Sequence, residues 1–142
     1  MLATACDARV MVADNAKIGL NEIGFGSSLF AGSVALLRFW VGERRAQEIA
    51  YSGALYGADQ AVALGLVDAA VAGAGLLDEA RKRVAELGAK SQAAFASIKR
   101  LLRRPIVDEI GRTEAASLAE FVEIWYSDET RRELQKIKIR GT

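Results

Sequence analysis

Apolar and polar positions alternate differently in the two halves of the chain. Short apolar runs predict two β-strands and one further extended segment, at 8–13, 66–71 and 16–20. Amphipathic or glycine-terminated stretches between them predict helices at 32–41, 43–51 and 57–65. Because strand and helix alternate, residues 1–72 are predicted to form a partial α/β core.

The second half, residues 73–142, is predicted to be helical throughout. Apolar residues recur there at three- and four-residue spacing, which predicts helices at 76–88, 91–104, 106–126 and 128–139. Pro105 is expected to separate the second of these helices from the third, and Ser127 to cap the fourth. Four helices without a strand cannot easily bury all their apolar faces alone. This region is therefore expected to pack on partner subunits.

Composition limits the classes of partner. The chain has 142 residues, of which 51% are hydrophobic, and a formal net charge of only +1. A folded protein is expected, and nucleic acid is not expected as a partner. No apolar run reaches the roughly 20 residues that a membrane span requires, so no membrane partner is expected either. The single cysteine, Cys6, is predicted to be a buried inert thiol, and the location is predicted to be cytoplasmic.

The absence of histidine limits the chemistry further. With no histidine and one cysteine, Ser-His-Asp and Cys-His nucleophile arrangements cannot form within the chain, and no metal site is expected. Proton transfer must therefore use carboxylate, lysine, tyrosine or backbone groups.

Glu22 is the strongest candidate for such chemistry. It lies in AKIGLNEIGFGSSLFAGSVALLRFWVG, residues 16–42, an apolar and glycine-rich stretch with no nearby cation. A carboxylate there is either solvated at a loop surface or lines a pocket where desolvation raises its proton affinity. The second alternative describes a general acid/base.

Three other groups of residues have a structural interpretation beside a functional one. The glycines at 24, 26 and 32 match no phosphate-binding pattern and predict a tight turn with close backbone approach. The basic pairs at 99–100 and 103–104 predict a solvated helix face, with contact to an anionic phosphate as the alternative. Aromatic residues at helical spacing predict core or subunit contacts; they are Phe39, Trp40, Phe121 and Trp125.

Several segments, taken in order, point to one known family. They are LATACD at 2–7, AKIGLNEIGFG at 16–26, the run from Glu22 to Val41-Gly42, a G-x4-A-x2-A-x3-GLV pattern from Gly53 to Val67, and FVEIWYSDETRRE at 121–133. Together they cover nearly the whole chain. In order and spacing the sequence resembles the crotonase superfamily, also called the enoyl-CoA hydratase/isomerase family.

The resemblance implies a fold and a chemistry. The fold is α/β, the C-terminal part of a crotonase-like ββα spiral, followed by a helical trimerisation region. The implied substrate is an acyl-CoA thioester, and since coenzyme A is part of the substrate, no separate cofactor is expected. Such enzymes polarise the thioester carbonyl with two backbone N–H groups and stabilise an enolate. Glu22 falls on a catalytic position as the general acid/base.

The resemblance also implies residues that bind substrate and a mode of assembly. Phe30 falls on a pocket position, and Phe121 matches an aromatic that packs against the CoA adenine from a neighbouring subunit. A homo-oligomer, a trimer or a dimer of trimers, is therefore expected.

Departures from the family pattern leave two alternatives open. The first glutamate of the family's hydratases falls on Met1, a loop glycine falls on Phe30, and the usual loop proline is Leu29. A single glutamate favours isomerase-like or other enolate chemistry. Because residues 2–6 read as the end of a helix, the N-terminal half, which supplies both oxyanion donors in the family, is expected to be missing. The alternative to an enzyme is a non-catalytic half-domain that acts as an assembly or interaction module.

Overall fold

Strands and short helices precede a run of longer helices in this chain. The computed structural model describes residues 2–137. In chain order the elements are α1 (Leu2–Ala5), β1 (Val10–Val12), a 3₁₀ turn (Glu22–Phe25), α2 (Ala31–Val41), α3 (Glu43–Ser52), α4 (Ala58–Leu64), β2 (Ala69–Val71), a second 3₁₀ turn (Gly73–Gly75), α5 (Leu76–Gly88), α6 (Gln92–Trp125) and α7 (Asp128–Lys136). The predicted α/β class is confirmed. Met1, the residue on which the first glutamate of the family pattern falls, lies outside the described residues.

The sheet of the described residues is a parallel pair. Val10 of β1 lies opposite Ala69 of β2, and Val12 lies opposite Val71. Parallel strands need a crossover connection, and α2, α3 and α4 supply it. Both strands are shorter than the apolar runs that predicted them, and the predicted extended segment at 16–20 forms only one antiparallel bridge, between Ile18 and Tyr56.

The hydrophobic core lies between the strands and the crossover helices. Leu37 of α2 and Ile49 of α3 are each only 1% exposed and lie at its centre. The other core residues come from β1, the loop before Glu22, helices α2–α4 and the segment before β2; they are Met11, Leu20, Val41, Ala46, Ala58, Ala61, Leu66 and Val67. Apolar residues at helical spacing therefore account for the burial of α2–α4.

A buried arginine ties β1 to the segment before β2. The Arg9 guanidinium donates to the Leu66 carbonyl at 2.9 Å and to Asp68 at 2.8 Å, and it lies 3.6 Å from the centre of the Trp40 ring. Burial lowers the pKa of Arg9, and the charge of Asp68 opposes this effect. Arg9 Nη1 is buried without a hydrogen-bond partner.

The predicted helix break at Pro105 is wrong. A single helix, α6, runs from Gln92 to Trp125 with Pro105 inside it. A proline removes one backbone donor and crowds the carbonyl four residues earlier, here Leu101, but Pro105 is exposed and α6 packs along α2. Tertiary packing thus holds the helix together across a local breaker. The helix predicted at 128–139 ends at Lys136, and residues 138 and 139 lie outside the described part.

Cys6 is exposed, so the prediction of a buried thiol is wrong. It follows the four-residue helix α1, and its Sγ is 3.6 Å from the Leu2 carbonyl at the surface. Within the described residues the Cys6 side chain is therefore open to solvent and does not have the apolar surroundings that cysteine usually occupies.

Candidate functional site

Glu22 begins a tight turn that glycine ends. The 3₁₀ turn Glu22–Phe25 is followed by Gly26 in the left-handed region at φ 72°, a conformation that glycine adopts without strain. The Gly26 N–H donates to the Ile23 carbonyl at 3.2 Å, and the Ser27 N–H donates to the Glu22 carbonyl at 2.9 Å. The predicted tight turn is confirmed at Gly24 and Gly26, but Gly32 lies in α2, and a Cβ added to Gly24 would meet no atom within 4 Å, so no close backbone approach occurs there.

The Glu22 side chain is half-buried, and no lysine or arginine within residues 2–137 forms an ion pair with it. Its Oε2 atom is shielded from solvent and has no hydrogen-bond partner. Buried polar atoms are normally paired, so an unpaired carboxylate oxygen marks a place where a ligand or water would be bound favourably. A carboxylate in this setting can accept and return a proton from a group within hydrogen-bond reach.

Ser27 carries a second shielded and unpaired oxygen. The residue is 8% exposed and its Oγ has no hydrogen-bond partner. It lies in the same loop, five residues after Glu22, and its backbone N–H closes the turn. Sequence reasoning missed this residue because a serine in a loop carries no distinctive pattern.

An apolar cavity of about 360 Å³ lies beside the turn. Ile23, Ser27 and Leu29 form one wall, and residues of α2 and α3, among them Leu37 and Ala46, form the other. Glu22 itself does not line this cavity. At its edge Arg38 donates to Glu43 at 2.6 Å, and this hydrogen bond, with the charge of Glu109, raises the pKa of Arg38.

The end of α3 supports the turn from one side. Gly53 adopts φ 57° after the last residue of α3, and a Cβ added there would lie 2.8 Å from Ile23 Cγ2. A larger residue at position 53 would therefore push Ile23, and with it the turn that carries Glu22.

The C-terminal helices support the turn from the other side. Thr130 of α7 donates to the Gly26 carbonyl at 2.6 Å, and the Phe25 and Trp125 rings meet edge to face at 6.2 Å. Ser127 accepts from the Thr130 N–H at 3.2 Å, which confirms the predicted cap of α7. Sequence reasoning missed Thr130 because 104 residues separate it from Gly26.

The two predicted substrate-binding aromatics lie together. The ring of Phe30, just before α2, is 4.4 Å from the ring of Phe121 on α6, and Trp125 stacks on Phe121 at 5.8 Å. The aromatic spacing on α6 thus produces intrachain contacts, as one of the sequence interpretations predicted. Glu22 is in the same loop as Phe30, eight residues earlier.

Two residues of the predicted basic pairs on α6 join it to the N-terminal segment, whereas Arg104 pairs with Asp108 within α6 at 3.8 Å. Lys99 and Arg103 both pair with Asp7, and Arg103 also donates to the Ala5 carbonyl at 2.9 Å. The prediction of a solvated basic face therefore needs correction for these two residues, because they fasten the segment after α1 to α6. Arg100 and Arg104 remain exposed.

Residues 2–137 contain neither a cluster of potential metal ligands nor a helix that could span a membrane. No group of three or more cysteine, aspartate and glutamate side chains there could hold a metal ion. None of the helices in this part is both long and apolar enough to cross a membrane.

Comparison with known proteins relates the whole chain to one family. The family model described as enoyl-CoA hydratase/isomerase matches residues 1–138. Crotonyl-CoA hydratase of Syntrophomonas wolfei is 32% identical over 111 residues, which are 78% of this chain and 42% of that protein. An enoyl-CoA isomerase/hydratase of Mycosarcoma maydis is 39% identical over 67 residues, 47% of this chain and 24% of that protein. The chain thus spans less than half the length of these relatives.

Solved structures share the fold. Human mitochondrial delta3-delta2-enoyl-CoA isomerase superposes with a TM-score of 0.87 at 24% identity, over 94% of this chain and 52% of that one. OdaA of Pseudomonas aeruginosa superposes with a TM-score of 0.82 at 27% identity, over 94% of this chain and 54% of that one. With the family match over residues 1–138, the chain belongs to the enoyl-CoA hydratase/isomerase family.

Proposed function

We propose that this chain carries the acid/base group of an enzyme that acts on acyl-CoA thioesters, with Glu22 as the single general acid/base. The observation that carries the proposal is the shielded and unpaired Oε2 of Glu22 in a turn held on both sides. The family match and the relatives' activities on enoyl-CoA compounds support the substrate class.

A single carboxylate favours proton relocation over hydration. The Glu22 carboxylate removes a proton from a carbon of the acyl chain, the electron pair moves towards the thioester carbonyl as an enolate, and Glu22 returns the proton to a different carbon. Atoms and charge balance without water or a second acid. The enolate oxygen needs N–H donors, which typically contribute about 10²- to 10³-fold each. We assign no residue of this chain to that role.

Turnover of two substrates tests the role of Glu22. The chain is incubated with crotonyl-CoA and with a 3-enoyl-CoA, as wild type, as Glu22→Gln and as Glu48→Gln. Glu48 is an exposed residue of α3 that pairs with Arg44 at the surface, so its variant controls for loss of a charge. We expect isomerisation to be lost in Glu22→Gln alone. Turnover that survives Glu22→Gln would overturn the assignment.

The second candidate function is a non-catalytic assembly or interaction module. It is favoured by large apolar side chains that α5 and α6 leave exposed, which are Leu77, Val84, Ile98, Leu101, Leu102, Val107, Leu118 and Val122. Exposed apolar surface of this extent is typical of an interface. The assembly that we propose is a homotrimer or a dimer of trimers. Absence of turnover with both thioesters would favour this candidate.

Sedimentation tests the assembly. Leu101 is 66% exposed, so Leu101→Glu should fold normally and reduce the mass of the assembly to that of the monomer. Arg100→Gln, at the neighbouring exposed position, also lowers the net charge by one, so it is the charge-matched control and should leave the mass unchanged. A wild-type chain that sediments as a monomer at micromolar concentration would contradict the proposed assembly.

A further inference from the structure

Thr130 joins three segments through one hydroxyl group. The residue is fully buried, at 0% exposure, and lies in the first turn of α7. Its Oγ1 is 2.6 Å from the Gly26 carbonyl and 2.8 Å from the Ile124 carbonyl. Ser127 Oγ donates to Thr130 Oγ1 at 3.2 Å and accepts from the Thr130 N–H. The single hydroxyl proton is thus shared between the Glu22 loop and the end of α6, with the shorter contact to the loop.

The acceptor of that hydroxyl closes the turn that begins at Glu22. The Gly26 N–H donates back into the turn, and its φ of 72° directs the chain away from it. α7 also lies against the turn, because a Cβ added to Gly26 would meet Thr130 Cα at 3.5 Å and Glu133 Cγ at 3.6 Å, which are ordinary contact distances. The specific link from α7 to Gly26 is therefore the Thr130 hydrogen bond.

Only the backbone of the turn fixes the carboxylate. Within residues 2–137 no side chain or backbone group donates a hydrogen bond to the Glu22 carboxylate, and its Oε2 is shielded and unpaired. The position of the carboxylate consequently follows the position of the turn from Glu22 to Gly26.

We propose that Thr130 is a positioning residue for Glu22, acting through its hydrogen bond to the Gly26 carbonyl. The inference rests on the proposed role of Glu22 and adds that α7 sets the geometry of that group. A displacement of about 1 Å of a reacting group can cost about 100-fold in rate. Loss of the 2.6 Å hydrogen bond to Gly26 would loosen the turn and should therefore lower the rate through Glu22.

The test compares Thr130→Val, which keeps the shape but loses the hydroxyl, with Thr130→Ser, which keeps the hydroxyl. In Thr130→Val we expect faster amide exchange at Gly26 and Ser27, and a kcat for the 3-enoyl-CoA lower by about 10- to 100-fold with KM within about twofold. In Thr130→Ser both quantities should return to near the wild-type values. Thr113→Val is the matched control, because the Thr113 hydroxyl donates within α6, to the Glu109 carbonyl.

The outcomes separate this inference from the proposed function. One outcome is that Glu22→Gln abolishes turnover, while folded Thr130→Val keeps the wild-type kcat and the wild-type amide exchange rates at Gly26 and Ser27. The positioning role of Thr130 is then overturned, and the function of Glu22 stands. If Glu22→Gln keeps its turnover, the function of Glu22 fails. If the wild type turns over neither thioester, unchanged exchange at Gly26 and Ser27 in Thr130→Val overturns the inference, and faster exchange supports its structural step. If Thr130→Val does not fold, Thr130→Cys, a weaker donor of similar size, replaces it with the same expected directions.

Discussion

The rings of Phe30 and Phe121 lie with their centroids 4.4 Å apart and their planes inclined by 37°. Phe30 directly precedes α2, and Phe121 lies in the last two turns of α6, 91 positions later. The family resemblance implies that both residues bind substrate, with Phe121 serving a neighbouring subunit. Within one chain they also form a contact of their own, which joins the loop of Glu22 to α6.

We predict that the two rings are energetically coupled. Phe30→Leu and Phe121→Leu should each lower the free energy of unfolding by about 1–2 kcal/mol, because both rings are only half-buried. A double-mutant cycle in urea should give a coupling of about 1 kcal/mol, the usual magnitude for an aromatic pair. Phe30→Leu combined with Phe95→Leu, at the far end of α6, should be additive. Additivity of the Phe30 and Phe121 variants would contradict the prediction.

We predict that α6 caps the N-terminus of α2. Glu114 accepts from the Gly32 N–H at 2.7 Å, and Ser117 accepts from the Ala31 N–H at 3.0 Å, so both supply partners that a helix N-terminus lacks. Glu114→Ala should lower the unfolding free energy by about 1–2 kcal/mol, and Glu114→Gln by less, because it keeps an acceptor. Urea unfolding measures this. Glu120→Ala, on an exposed part of α6, is the control, and an equal effect there would exclude the cap.

We predict that Pro105→Ala stabilises the chain. Position 105 is exposed inside a continuous helix, and alanine would restore the hydrogen bond to the Leu101 carbonyl. The free energy of unfolding should rise by about 1–3 kcal/mol. Local adaptation of α6 to proline would keep this gain below the full difference in helix propensity between proline and alanine. Pro105→Gly should gain less, since glycine is a poorer helix former. Lower stability of Pro105→Ala in thermal unfolding would mean that the proline supports packing of α6.

Local sequence information was sufficient for the elements that lie around the core. The apolar spacing and the glycine after Ser52 predict α2 and α3 nearly to the residue, because burial of one face and a glycine end determine such helices. The glycines after Glu22 likewise predict the turn. Pro105 misleads because a local penalty is outweighed by packing along the length of α6, which no local pattern records.

The contacts that hold the candidate site could not be predicted from the sequence. The Thr130 hydroxyl reaches Gly26 across 104 positions, and Glu114 reaches Gly32 across 82. Such pairings depend on how far α6 and α7 are rotated and shifted against the loop. A change of one residue in that register would turn either side chain away.

We predict an asymmetry in the buried ion pair of Arg9 and Asp68. The Arg9 side chain is 3% exposed and that of Asp68 is 38% exposed, so removal of the carboxylate leaves a charge that water cannot reach. Asp68→Ala should therefore lower the free energy of unfolding by about 3–5 kcal/mol, whereas Arg9→Met should lower it by about 1–2 kcal/mol, because Asp68 can be solvated.

The asymmetry of the Arg9 and Asp68 variants should not depend on pH near neutrality. Burial lowers the pKa of Arg9, so its charge opposes folding at every pH below that pKa, and the charge of Asp68 offsets this destabilisation. Since guanidinium titrates far above neutral pH, the difference between the variants should stay constant from about pH 6 to 9. Urea unfolding at both pH values measures it, and a larger cost for Arg9→Met would show that packing on Trp40 outweighs the charge.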